Sequence, residues 1–85
     1  MYVHIGKESV INSDNIMAIL NIKAITKKRD LKDICKNIGI SDNIIDVSEN
    51  NKKTLILCKL NNNLRGYITN ISSATIAKRC NVKVY

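Results

Sequence analysis

The sequence predicts a single α+β domain over residues 1–85, a small and mostly antiparallel β-sheet with two short helices. Three observations lead there. Short apolar runs of strand length share the chain with one clear helical stripe, so strands and helices are mixed within one unit. Zero prolines and only 3 glycines leave no linker between separate parts. Finally, 85 residues can bury one core but leave no deep catalytic cleft.

Each element has a local reason. Val3 and Ile5 alternate with Tyr2 and His4, which reads as an opening strand ending at Gly6, with residues 7–9 as a turn. Val10 and Ile11 begin a second extended stretch, and Ser13 or Asp14 marks the next turn. Residues 16–20 are a solid apolar run, expected as a central strand buried on both faces. Thr26 is expected to open the first helix, with Asp30 in its first turn region. Leu31, Ile34, Cys35 and Ile38 fall at helical spacing on one stripe, and Gly39 stops the helix. Residues 44–47 form a short strand or a core-facing loop, followed by a polar turn over 49–53. Residues 54–60 and 64–69 read as a hairpin closed by Asn61, Asn62 and Asn63, since asparagine tolerates left-handed backbone. Ser72 or Ser73 caps a second helix running to about Cys80, with Ile76, Ala77 and Cys80 inward, and residues 82–85 suit a last strand.

Charge narrows the function classes. The net charge is +7, from 14 Lys+Arg against 7 Asp+Glu. Split at Asn43, the first half carries seven basic and five acidic residues, the second seven and two, so the surplus sits late. Such an excess favours polyanions, although solubility or a codon bias toward Ile, Asn and Lys would give the same composition. Only three aromatic residues, Tyr2, Tyr67 and Tyr85, are available to stack on bases, which favours duplex backbone over single strands. No apolar run reaches the ~18 residues of a membrane span, and the N-terminus lacks a secretory pattern, so the expected location is cytoplasmic. Cys35, Cys58 and Cys80 form no CxxC pair and are expected as buried free thiols. With His4 the single histidine, no metal or other cofactor is expected.

Catalytic arrangements are nearly absent. His4 lies in a strand with no nucleophile near it in sequence; Ser72 and Ser73 are explained by capping; Asp30 and Asp33 pair locally on a cationic helix; no Gly-rich phosphate loop exists. An enzyme with a small-molecule substrate is therefore not expected. Binding residues are easier to name. With a three-residue loop, Leu60 pairs with Leu64 and Lys59 faces Arg65, two cations that repel across a ladder without an anion between them. On that register Lys53, Leu55, Leu57 and Tyr67 share the cationic face, while Thr54, Ile56, Cys58, Gly66 and Ile68 look like core. Lys59 and Arg65 then either solvate a loop tip or form a phosphate- or subunit-contact edge. Lys52 and Lys53 occupy an exposed Asn-rich turn. Lys28, Lys32 and Lys36, with Arg29 beside them, form a solvated helix face or a phosphate-facing stripe; Lys78 and Arg79 suit a helix C-terminus.

Residues 1–6 (MYVHIG), 16–20 (IMAIL) and 67–79 (YITNISSATIAKR) together resemble the bacterial extracellular-matrix regulator family, RemA/RemB, and are most similar to its RemB branch. The resemblance covers the first ~25 and last ~35 residues. It implies a fold similar to the LytTR DNA-binding domain. It also implies a transcription regulator of biofilm-matrix genes that assembles as closed homo-oligomeric rings with a basic rim on double-stranded DNA. The family's basic pair before the hairpin strand falls on Lys52 and Lys53. A further family cation before the apolar run has no counterpart, because Asp14 and Asn15 stand there. The expected DNA-binding residues are Lys52, Lys53, Lys59 and Arg65, with a ring-forming adaptor as the competing class and an acidic membrane surface disfavoured for want of an amphipathic terminal helix.

Overall fold

Alternation of Val3 and Ile5 with Tyr2 and His4 produces β1 (Tyr2–Gly6), which turns at Lys7 and Glu8 into β2 (Ser9–Asn12). A 3-10 turn at Ser13–Asn15 leads to β3 (Ile16–Asn21), α1 (Ile22–Ile25), α2 (Leu31–Ile38), β4 (Ile44–Asp46), β5 (Thr54–Leu60), β6 (Asn63–Thr69) and α3 (Ser73–Cys80). The computed structural model describes residues 1–81, so the strand expected over 82–85 lies outside the described residues. The α+β class holds: β1 and β2 form a two-stranded antiparallel sheet, and the second sheet has the order β3-β5-β6-β4. Among the described strands, only β4 runs parallel to its neighbour, β6.

The four-stranded sheet is covered on both faces, which gives three layers. One face packs Ile19, Ile56, Cys58 and Tyr67 against Val3, Ile5 and Ile11 of the β1–β2 hairpin and against Ile76 and Cys80 of α3. The other packs Leu55 and Ile68 against Ile22, Cys35 and Ile40 from the α1–α2 side. Gly66 permits the close approach on that second side: a Cβ there would lie 2.8 Å from the Ile40 Cδ1 methyl. The hairpin is fastened to the sheet by polar groups as well. Thr69 Oγ1 donates to the Ile5 carbonyl and accepts from Ile71 N, and Arg79 Nη1 donates to the His4 carbonyl at 3.0 Å. Arg79 thus ties α3 to β1, and the His4 ring donates from Nε2 to the Lys7 carbonyl at 2.6 Å.

Three expectations are corrected. The apolar run of β3 is an edge strand, and Met17 is 56% exposed there. The strands buried on both faces are β5 and β6, where the unbroken run at residues 55–58 has the composition that two covered faces require. The irregular register between Ile16 and Ala18 bulges Met17 outward.

The first long helix starts at Leu31, with Asp30 at its N-cap position, rather than at Thr26. The Thr26 hydroxyl donates to the Ile22 carbonyl and finishes α1. Lys27, Lys28 and Arg29 would also set three cations in a first helical turn, where the positive end of the dipole opposes them. Of the stripe, Leu31, Cys35 and Ile38 pack into the core while Ile34 is half-buried, and Gly39 closes α2 in the left-handed region at φ 88°.

The β5–β6 loop has two residues, not three. Asn61 and Asn62 adopt φ 50° and 69°, the pair of left-handed residues that a two-residue hairpin turn needs. The ladder therefore pairs Leu60 with Asn63, Lys59 with Leu64 and Cys58 with Arg65. Lys59 and Arg65 point to opposite faces of the sheet and form no cationic pair; the one-residue change of register separates them. Leu55 and Leu57 consequently share a face with Gly66 and Ile68, and Ile56 and Cys58 with Tyr67.

All three thiols are free and buried. Burial first, and the neighbouring Cys80 second, push the Cys58 thiol up to about 11, against the opposing pull of Arg65. Below the ordinary thiol value of 9.0 both folded and unfolded chains keep this proton. As pH rises from 9 to about 11 only the unfolded chain loses it, so the stability associated with Cys58 falls across that window. The native protein at pH 8 is expected to resist iodoacetamide at Cys58 for hours, whereas the urea-unfolded chain reacts at every thiol. Mass spectrometry of quenched samples measures this, and rapid native alkylation of Cys58 would contradict its burial.

Candidate nucleic-acid interface

The loop that carries Lys52 and Lys53 is built by its own sequence. Glu49 and Asn50 take left-handed backbone at φ 54° and 71°, and Asn51 N donates to the Ser48 carbonyl. Asp46, at the end of β4, accepts from Ser48 N at 2.8 Å and from Ser48 Oγ at 2.5 Å. Its other oxygen lies 3.3 Å from Lys52 Nζ. Partial burial works against a charge on Asp46, but the Ser48 hydrogen bonds and the Lys52 ammonium outweigh it and hold the carboxyl below the usual carboxylate range. Lys53 continues the strand ladder through its backbone, with Lys53 N donating to the Thr69 carbonyl at 3.0 Å. Both lysine side chains are exposed.

Two other elements meet this loop. Ile22 N donates to the Lys53 carbonyl at 3.0 Å, which docks the start of α1 beside it. Thr54 Oγ1 donates to the Ile71 carbonyl at 2.7 Å and lies 2.9 Å from Ser73 Oγ, which docks the start of α3. Between them opens a cleft of about 350 Å³, lined by Asn21 and Lys23, by residues 51–53, and by Ser72 and Ser73. Among the described residues no carboxylate lines it. Lys23 belongs to no sequence motif. The signal for it is the antiparallel pairing of β3 with β5, since Asn21 opposite Thr54 puts the residues after β3 beside those before β5.

The four expected DNA-binding residues do not form one group. Six residue steps along the strand separate Lys53 from Lys59, about 20 Å at the usual rise per residue. Lys59 is exposed beside the Asn61–Asn62 turn. Arg65 is half-buried on the opposite face, with Nη1 3.4 Å from the Tyr67 hydroxyl. Lys28, Lys32 and Lys36 are exposed on α2 and the segment before it.

Freeing Lys52 from its carboxylate provides a test of the loop. Asp46→Asn keeps an acceptor for Ser48 and removes the charge. If Lys52 meets phosphates, duplex affinity should rise up to about fivefold, the equivalent of the ~1 kcal/mol that an exposed ion pair contributes at most. Fluorescence anisotropy at fixed salt measures it, and an unchanged or weaker affinity would remove Lys52 from the interface.

The chain was compared with protein-family models, with curated proteins and with solved structures, and none of them matches. Among the described residues, no helix is long and apolar enough to cross a membrane.

Proposed function

We propose that this chain is a duplex-DNA-binding transcription regulator of the bacterial extracellular-matrix regulator type, acting in the cytoplasm as a ring-like homo-oligomer. The observation that carries this reading is the gathering of Lys52 and Lys53 on an exposed loop braced by Asp46, beside a cleft whose described lining residues include no carboxylate, on a chain of net charge +7. Cations held there meet backbone phosphates and give affinity without direct base readout. Few contacts per subunit bind weakly, and a ring multiplies them through effective concentration. Lys59 and Arg65, at the far end of β5 and β6, serve as a secondary contact or as part of a subunit edge. The role is binding rather than catalysis, with no cofactor.

Assembly has its own support. Among the described residues the edges of the four-stranded sheet are β3 and β4, and each carries an exposed apolar side chain, Met17 and Ile45. Two different edges on opposite sides of the described sheet suit head-to-tail contacts, which close into rings. The same observation favours the competing reading, a ring-forming adaptor without DNA affinity of its own. Native mass spectrometry together with a salt-dependent duplex shift tests both. The proposal expects an oligomer larger than a dimer that shifts duplex at low salt. A monomer at tens of micromolar would overturn the ring, and an oligomer that shifts no duplex leaves the adaptor reading.

A further inference from the structure

Lys23 is the cation that the fold, and not the sequence pattern, brings to the cleft. Ile22 is buried in the core beneath α1, so the next residue turns outward, and Lys23 is exposed. The hydrogen bond from Ile22 N to the Lys53 carbonyl fixes that position against the Lys52–Lys53 loop from the backbone, independently of any lysine side chain. Asn21 Oδ1 accepts from Ala24 N at 3.2 Å and orients the same turn.

The cleft's other polar groups are largely committed. Ser72 Oγ meets Thr75 Oγ1 at 2.8 Å and accepts from Thr75 N, while Ser73 Oγ is engaged with Thr54. Asp46 draws on Lys52, and no carboxylate among the lining residues compensates Lys23 or Lys53. Lys23 and Lys53 have no carboxylate partner and Lys52 shares its charge with Asp46, so the cleft of about 350 Å³ keeps a positive potential that phosphate groups can enter and neutralise.

We propose that Lys23, Lys52 and Lys53 together grip adjacent backbone phosphates of a duplex, with Lys23 as a third contact beside the Lys52–Lys53 pair. The proposal deepens the duplex-binding reading and rests on it for the source of the phosphate.

Two measurements separate the inference from that reading. The first is duplex affinity against salt for the wild type, Lys23→Ala, Lys23→Arg and the control Lys28→Ala. Lys23→Ala should lower the log–log salt slope by roughly one unit per engaged subunit, about equally for unrelated duplexes, while Lys23→Arg and Lys28→Ala keep the wild-type slope. The second is the thermal shift caused by pyrophosphate at matched ionic strength, expected for the wild type and Lys28→Ala and lost in Lys23→Ala. A Lys23→Ala protein with wild-type slope, beside a Lys52→Ala/Lys53→Ala protein with a flattened one, would overturn the role of Lys23 and leave the duplex reading standing. Pyrophosphate stabilisation that needs Lys23, in a protein that shifts no duplex, would keep the three-lysine anion site and overturn the duplex reading. Response to neither probe would overturn both.

Discussion

Replacing Lys52 and Lys53 together with alanine is expected to weaken duplex binding about equally for all sequences and to flatten its salt dependence. Each lost phosphate contact removes roughly 0.9 from the log–log slope, so the pair accounts for nearly two units per engaged subunit. In a ring the loss recurs at every subunit that touches the duplex. Fold and assembly should survive. The ladder bond of Lys53 uses backbone atoms that alanine retains. The ion pair from Lys52 to Asp46 is solvent-exposed and contributes less than about 1 kcal/mol. Triple replacement of Lys28, Lys32 and Lys36 is the control, expected to leave a steep slope. Anisotropy titrations over a range of salt decide between them. A normal slope in the double variant with a flattened one in the triple variant would move the interface to the α2 side.

The largest loss of stability is expected from Ile56→Ala. Ile56 is fully buried, opposite Ile19 on β3 and Tyr67 on β6, and it faces the layer formed by the β1–β2 hairpin and α3. Truncation removes three carbons at the point where that whole layer meets the sheet, and the flanking strands cannot collapse into the space without breaking register. The cost should be about 2–5 kcal/mol, a large part of the total available to a domain of this size, which is on the order of 4–13 kcal/mol. Urea unfolding at fixed protein concentration measures it. Ile34→Ala, at a half-buried position on α2, should cost clearly less. Near-equal midpoints for Ile56→Ala and the wild type would mean that the hairpin layer contributes little to the fold.

Much of this architecture is legible in local sequence because local physics decides it. Ser72 caps α3 through its hydroxyl, Gly39 ends α2 in the left-handed region, and residues 54–60 carry at 55–58 the continuous apolar run of a buried strand. Lys52 and Lys53 are readable as an exposed turn from the polar run that contains them. What depended on a one-residue count was not readable. Whether Asn61 to Asn63 make a loop of two or three residues decides if Lys59 faces Arg65, and three asparagines in a row admit both. The run at residues 16–20 looks central by composition, yet it lies at the edge, because hydrophobicity reports how much surface is covered and not which neighbour covers it. Thr26 has the chemistry of a helix cap and is used to close a preceding turn, a choice set by the docking of Ile22 against the sheet.

The charge, most of the strands, the helical stripe of α2, the cap of α3 and the exposed Lys52–Lys53 turn are legible along the chain because they are properties of short segments; α1 is not. Tertiary structure alone decided which cations share a surface. The antiparallel pairing of β3 with β5 brings Lys23 to residues 51–53 across thirty positions of chain, while six residue steps of extended strand carry Lys59 about 20 Å away. Proximity between charges is set by strand order and register, and those follow from how the two sheet faces are buried rather than from any spacing along the chain.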